Sequence, residues 1–66
     1  MIEVVVVYDR TEEKWFVTEG HKDISSHRLK QRAEKEGRRY AKNHRPAEFV
    51  VETKSGDVSY TQVYEQ

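Results

Sequence analysis

The sequence predicts an α+β domain, ββαββ, in which two β-hairpins form an antiparallel sheet and one helix packs on one face of it. Three observations carry this prediction. Only Ser25 to Asn43 is long enough and suitably periodic for a helix, four other stretches are short and rich in β-branched or aromatic residues, and turn-forming residues separate them. The 66 residues leave room for one domain, residues 1–66, with a single small core.

Ile2 to Tyr8 is dominated by valine and reads as the first strand. Asp9 to Glu13 is a polar loop of normal hairpin length, although it lacks the Asn-Gly or Asp-Gly pair of the tightest turns. Lys14 to Thr18 alternates around Trp15 and Val17 as a second strand, and Gly20 ends it where the chain must turn.

In the helix, Leu29, Ala33, Gly37, Tyr40 and Ala41 fall on one narrow stripe, the face expected to pack. Ser25 or Ser26 is placed to cap its first turn, and Asp23 sits near the positive end of its dipole. Lys42, His44 and Arg45 suit the negative end, and Pro46 stops the helix at about Asn43 or His44. A mid-helix glycine costs about 1 kcal/mol relative to alanine. Gly37 between Ala33 and Ala41 therefore implies close approach of the helix to the sheet. Beyond Pro46, Glu48 to Thr53 and Val58 to Tyr64 read as a second hairpin around Lys54-Ser55-Gly56-Asp57.

The charge is zero overall but unevenly placed. Residues 1–20 hold two basic and five acidic side chains (−3), residues 21–45 nine and three (+6), and residues 46–66 one and four (−3). The basic side chains Arg28, Arg32, Lys35, Arg38, Arg39, Lys42 and Arg45 are candidates for contact with a nucleic-acid backbone. Glu34 and Glu36 within the helix, and the acidic flanks, favour the plainer reading of a solvated face laced with i,i+3 and i,i+4 pairs.

One helix covers one face of a sheet, yet the first two strands carry apolar side chains in both parities. Val5, Val7, Phe16 and Val63 are therefore candidates for an uncovered face, and a homodimer is the expectation that follows. The aromatics Trp15, Phe16, Tyr40, Phe49, Tyr60 and Tyr64 suit core and dimer packing better than a base-stacking platform.

No catalytic, cofactor or metal residue is nominated. His21, His27 and His44 match no ligand spacing, Glu12 and Glu13 are neighbours in a loop, and no phosphate loop or nucleophile motif occurs. The chain has no cysteine, so disulfides and thiolate chemistry are excluded. The N-terminal apolar run is too short for a signal peptide, and no run approaches the ~18 apolar residues of a membrane span. A cytoplasmic protein without membrane partners is expected.

Trp15-x-Val17, Gly20, Ser25, the stripe Ala33, Gly37 and Ala41, then Glu48-Phe49-Val50-Val51, Ser55-Gly56, Val58 and Tyr64, resemble in order and spacing the domain of unknown function 2188 family. The resemblance spans most of the chain. It departs in a segment between Ser25 and Ala33 that is one residue short, in Gly37 where alanine is commoner, and in Glu52 where histidine often stands. It implies the ββαββ fold and brings no activity or site residues with it. The resulting expectation is a small non-catalytic binding or accessory module, homodimeric, whose partner no motif reveals; nucleic-acid binding through residues 25–45 is the alternative.

Overall fold

A computed structural model describes all residues, 1–66. The chain runs β1 (Ile2–Asp9), β2 (Lys14–Glu19), β3 (Lys22–His27), α1 (Lys30–Asn43), β4 (Ala47–Glu52) and β5 (Val58–Tyr64). One mixed sheet has the order β3-β2-β1-β4-β5. It is a five-stranded sheet, where four strands are expected from the sequence. Nor is it wholly antiparallel, because β1 and β4 lie side by side in parallel, with Val4 opposite Phe49 and Val6 opposite Val51.

The additional strand explains the other difference. Ser25 and Ser26 do not cap the helix; they belong to β3, paired with Val17 and Phe16. Asp23 lies in the same strand, opposite Thr18, so it is not at the helix dipole. The segment KDISSH has little β-propensity of its own and is recruited by pairing along one side of β2. The helix accordingly starts at Lys30. Its N-cap position is Leu29, whose side chain can accept nothing, and no acidic residue occupies its first turn.

The C-terminus of α1 ends as the sequence indicates. The His44 N–H donates to Ala41 O, and His44 Nδ1 donates to Tyr40 O at 2.8 Å, satisfying carbonyls that the helix leaves free. Pro46 follows, after a cis peptide bond.

The turn between β2 and β3 uses Gly20 at φ +61°, a left-handed conformation that costs glycine nothing. The first hairpin has no glycine. There Asp9 Oδ1 accepts from the Thr11 and Glu12 N–H groups at 2.8 and 3.0 Å, and Glu13 takes φ +54°.

Strand alternation sorts the sheet into two faces. Val4, Val6, Trp15, Val17, Ala47, Phe49, Val51 and Tyr64 point toward the helix and form one core with Ala33 and Ala41. Gly37 stands over the parallel seam: a Cβ there would lie 2.6 Å from Phe49 Cε1 and 3.2 Å from Val6 Cγ2. The close approach expected from the small-residue stripe is what the structure shows.

Candidate functional site

The two faces of the molecule differ in charge. On the exposed side of α1, Arg32, Lys35, Arg39 and Lys42 follow one another at three- and four-residue intervals and form a stripe turned away from the buried Ala33, Gly37 and Ala41. Lys35, Arg38, Arg39, Lys42 and Asn43 line a shallow groove of about 330 Å³ that contains no carboxylate. Of the two helix glutamates, neither lines the groove, although Glu36 reaches one of its residues. Glu34 accepts a 2.6 Å hydrogen bond from the Tyr60 hydroxyl, and Glu36 makes the only ion pair in the chain, to Arg39 at 3.8 Å.

The structure does not gather all seven basic candidates. Arg38 leans toward the sheet, with its guanidinium 5.6 Å from the Phe49 ring and Nη2 donating to the Tyr60 hydroxyl at 3.2 Å. Arg45 lies beyond the helix over Tyr64 and donates to Glu65 O at 3.4 Å; Lys42 also reaches that ring. Arg28 sits exposed between β3 and α1. The stripe proper is Arg32, Lys35, Arg39 and Lys42, with Arg38 at its side.

The opposite face of the sheet has no helix. Val5, Val7 and Phe16 are half-buried there, joined by Val50, which neighbouring strands cover to 8% exposure. Register makes these contiguous: Val7 pairs with Phe16, and Val5 pairs with Val50 on one side and Thr18 on the other. Val63 belongs to the same face but stands apart on β5, 52% exposed and opposite Glu48. Alternation and register also place Glu3, Asp9, Asp23, Glu48 and Glu52 on this side, against Lys14 alone. A neutral chain is thus polarised, with an acid-rimmed apolar sheet on one side and a basic helix on the other.

The aromatics do not form a stacking platform. Trp15, Phe49 and Tyr64 are core, and Phe16 alone of the six faces the open side of the sheet. Tyr40 and Tyr60 are tied down at their hydroxyls. Tyr40 donates to Glu19 Oε1 at 2.6 Å while its ring stacks 3.9 Å from that of His44. That bond, with partial burial and the Glu19 charge, raises the Tyr40 pKa above the ordinary tyrosine value. Burial, and then the bond to Glu34, raises that of Tyr60, with Arg38 opposing. His21 and His44 are exposed, and His27 shares a 2.9 Å hydrogen bond with Ser25 Oγ. No group of three or more His, Cys, Asp or Glu side chains is placed to hold a metal, and no helix is long and apolar enough to cross a membrane.

Sequence reasoning missed the edge role of β5. Its signal was legible nonetheless, because Val58–Tyr64 is wholly uncharged in a chain of which 36% is charged. Together these features define a one-helix α+β domain on a mixed five-stranded sheet, with two surfaces of opposite charge. The chain belongs to the family described as "Uncharacterized protein conserved in bacteria" (DUF2188), whose model matches residues 3–62. No match was found among curated proteins or among solved structures.

Proposed function

We propose that this domain is a small non-catalytic binding module that works as a homodimer and offers the open face of its sheet to a protein partner. The observation that carries the reading is the contiguous apolar set Val5, Val7, Phe16 and Val50 on a face that no element of the chain covers. Its five carboxylates and single lysine select for a segment that is apolar and cationic, and they repel nucleic acid. The non-catalytic part of the reading is supported by the shape of the surface. Its grooves are shallow, and the largest, about 410 Å³, is lined by His27, Gln31, Arg32, Lys35 and Glu36 without any apolar wall.

A synthetic peptide library displayed against the immobilised domain tests this. Enriched peptides should combine basic and aliphatic or aromatic residues, and Phe16→Lys should abolish their binding. No enrichment, or enrichment that survives Phe16→Lys, refutes the reading. Sedimentation at high micromolar concentration tests the homodimer, which a monomer mass refutes.

A second reading, nucleic-acid binding through α1, is favoured by the carboxylate-free groove of Lys35, Arg38, Arg39 and Lys42. Four phosphate contacts give a logarithmic salt slope of about −3 to −4 on duplex DNA. Fluorescence anisotropy should then show affinity falling steeply with salt and vanishing in Arg38→Glu/Arg39→Glu. Absence of binding at low salt excludes it.

A further inference from the structure

We propose that β5 is a self-pairing edge through which two copies of this chain join, antiparallel, into one continuous ten-stranded sheet. The proposal rests on the homodimer reading and locates where the copies meet.

Edge strands present unpaired N–H and C=O groups, and soluble proteins blunt them with charge, proline, bulges or a covering element. The two edges of this sheet are treated differently. Strand β3 carries Lys22, Asp23 and His27, and a bulge interrupts its register between Val17 and Thr18. Strand β5 has no charge, proline or glycine, and six of its seven residues are exposed, Val58 at 60%. Its one irregularity, Ser59 standing as an extra residue where Val51 faces Tyr60 and Glu52 faces Val58, lies near the Val58 end and leaves Tyr60 to Tyr64 in regular pairing with β4. From Tyr60 to Tyr64 nothing prevents a further strand from adding.

The ends of the strand indicate that the added strand is its own copy. Asp57 precedes β5 and is exposed. At the other end Lys42 and Arg45 lie 5.8 and 5.6 Å from the Tyr64 ring centre, and Arg45 donates to the Glu65 carbonyl. Antiparallel self-pairing sets Asp57 of each copy against the Lys42 and Arg45 end of the other, so the attraction occurs twice about one two-fold axis. Packing the open faces on one another has the opposite electrostatics, because Glu3, Asp9, Asp23, Glu48 and Glu52 would confront their own copies.

Antiparallel edge pairing requires the two-fold to stand perpendicular to the sheet. Both helices then lie on one side, each over its own β1 to β4, and both open faces lie on the other, free for a partner. The dimer in this arrangement doubles each surface and consumes neither.

The cysteine-free chain makes the test direct. Residues opposite each other in an antiparallel pair have Cα atoms about 4.5–5.5 Å apart, within disulfide range. Among the single variants Tyr60→Cys, Thr61→Cys and Gln62→Cys, oxidation should give covalent dimer at the residue nearest the axis, while Val7→Cys and Phe16→Cys remain monomeric on a non-reducing gel. Ser59→Lys/Thr61→Lys should convert the dimer to monomer in sedimentation with an unchanged circular dichroism spectrum. A wild-type chain that is monomeric at every concentration removes the homodimer reading and this proposal together. A dimer that resists Ser59→Lys/Thr61→Lys and cross-links through Val7→Cys or Phe16→Cys overturns the edge assignment and leaves the homodimer standing.

Discussion

Gly37→Ala sets two large effects against each other. Alanine is better than glycine in a helix interior by about 1 kcal/mol, so the substitution stabilises α1 taken alone. The added methyl carbon, however, would lie 2.6 Å from Phe49 Cε1 and 3.2 Å from Val6 Cγ2, inside the ~3.5–4.0 Å at which carbons attract. Neither neighbour has room to withdraw. Both side chains are fully buried, the Phe49 ring meets Tyr60 edge-on at 6.3 Å, and the Arg38 guanidinium covers it. Overpacking of this kind costs about 1–3 kcal/mol, and a contact this short belongs in the upper half of that range. The net expectation is a loss of about 1–2 kcal/mol, read as a lower urea midpoint at unchanged slope and a Tm lower by roughly 4–8 °C per kcal/mol. Phe49→Leu removes the obstructing ring edge, so the double variant should show a favourable coupling of about 1 kcal/mol. A Gly37→Ala protein as stable as wild type, or more so, refutes the argument that close approach selects this glycine.

Three further outcomes follow from local geometry. Gly20→Ala meets no atom within 4 Å, so its cost is conformational only, about 1–2 kcal/mol by chemical denaturation for holding φ near +61°. Glu13 holds φ +54° in the first hairpin, and Glu13→Gly should raise stability by roughly 0.5 kcal/mol, the relief of strain exceeding the entropy of the unfolded glycine. If it destabilises, the left-handed residue is not under strain. The raised pKa values of Tyr40 and Tyr60 mean that the folded state holds these protons more tightly than the unfolded chain. Their contribution to stability is therefore complete below about pH 10 and lost as pH rises through the elevated values. An ultraviolet alkaline titration should show late-ionising tyrosines, and Tyr40→Phe should remove its amplitude from that late phase; loss from the ordinary phase instead counts against the Glu19 bond.

Most of the fold was legible because it is written in strong local signals. Valine runs, the Ser55-Gly56 turn, Pro46 and the small-residue stripe each dictate one element with little help from elsewhere. What failed is instructive in the same terms. Lys22 to His27 has neither alternation nor β-branched density, and its serines read as helix caps. Only the open side of β2 makes it a strand, and that is a tertiary fact. Parallel pairing of β1 with β4 was equally invisible, since Val4 and Val6 look the same beside any neighbour. On the surfaces, composition found the basic helix and the uncovered apolar set. It could not say that Arg38 turns inward to Tyr60 and Phe49, that Arg45 settles on Tyr64, or that the acidic residues collect around Val5 and Phe16.

The parallel seam between β1 and β4 also orders the assembly of the molecule. Strands β1 to β3 form a meander of neighbouring contacts, and β4 with β5 forms a hairpin; either can close over short loops within microseconds. Val4 and Phe49 must instead find each other across the helix and both turns, so their pairing bears most of the loop-closure entropy. The chain is kinetically two pieces, and α1, resting its glycine on Val6 and Phe49, is what fastens one to the other. Substitutions along that line should slow folding, whereas those in the outer turns should chiefly hasten unfolding.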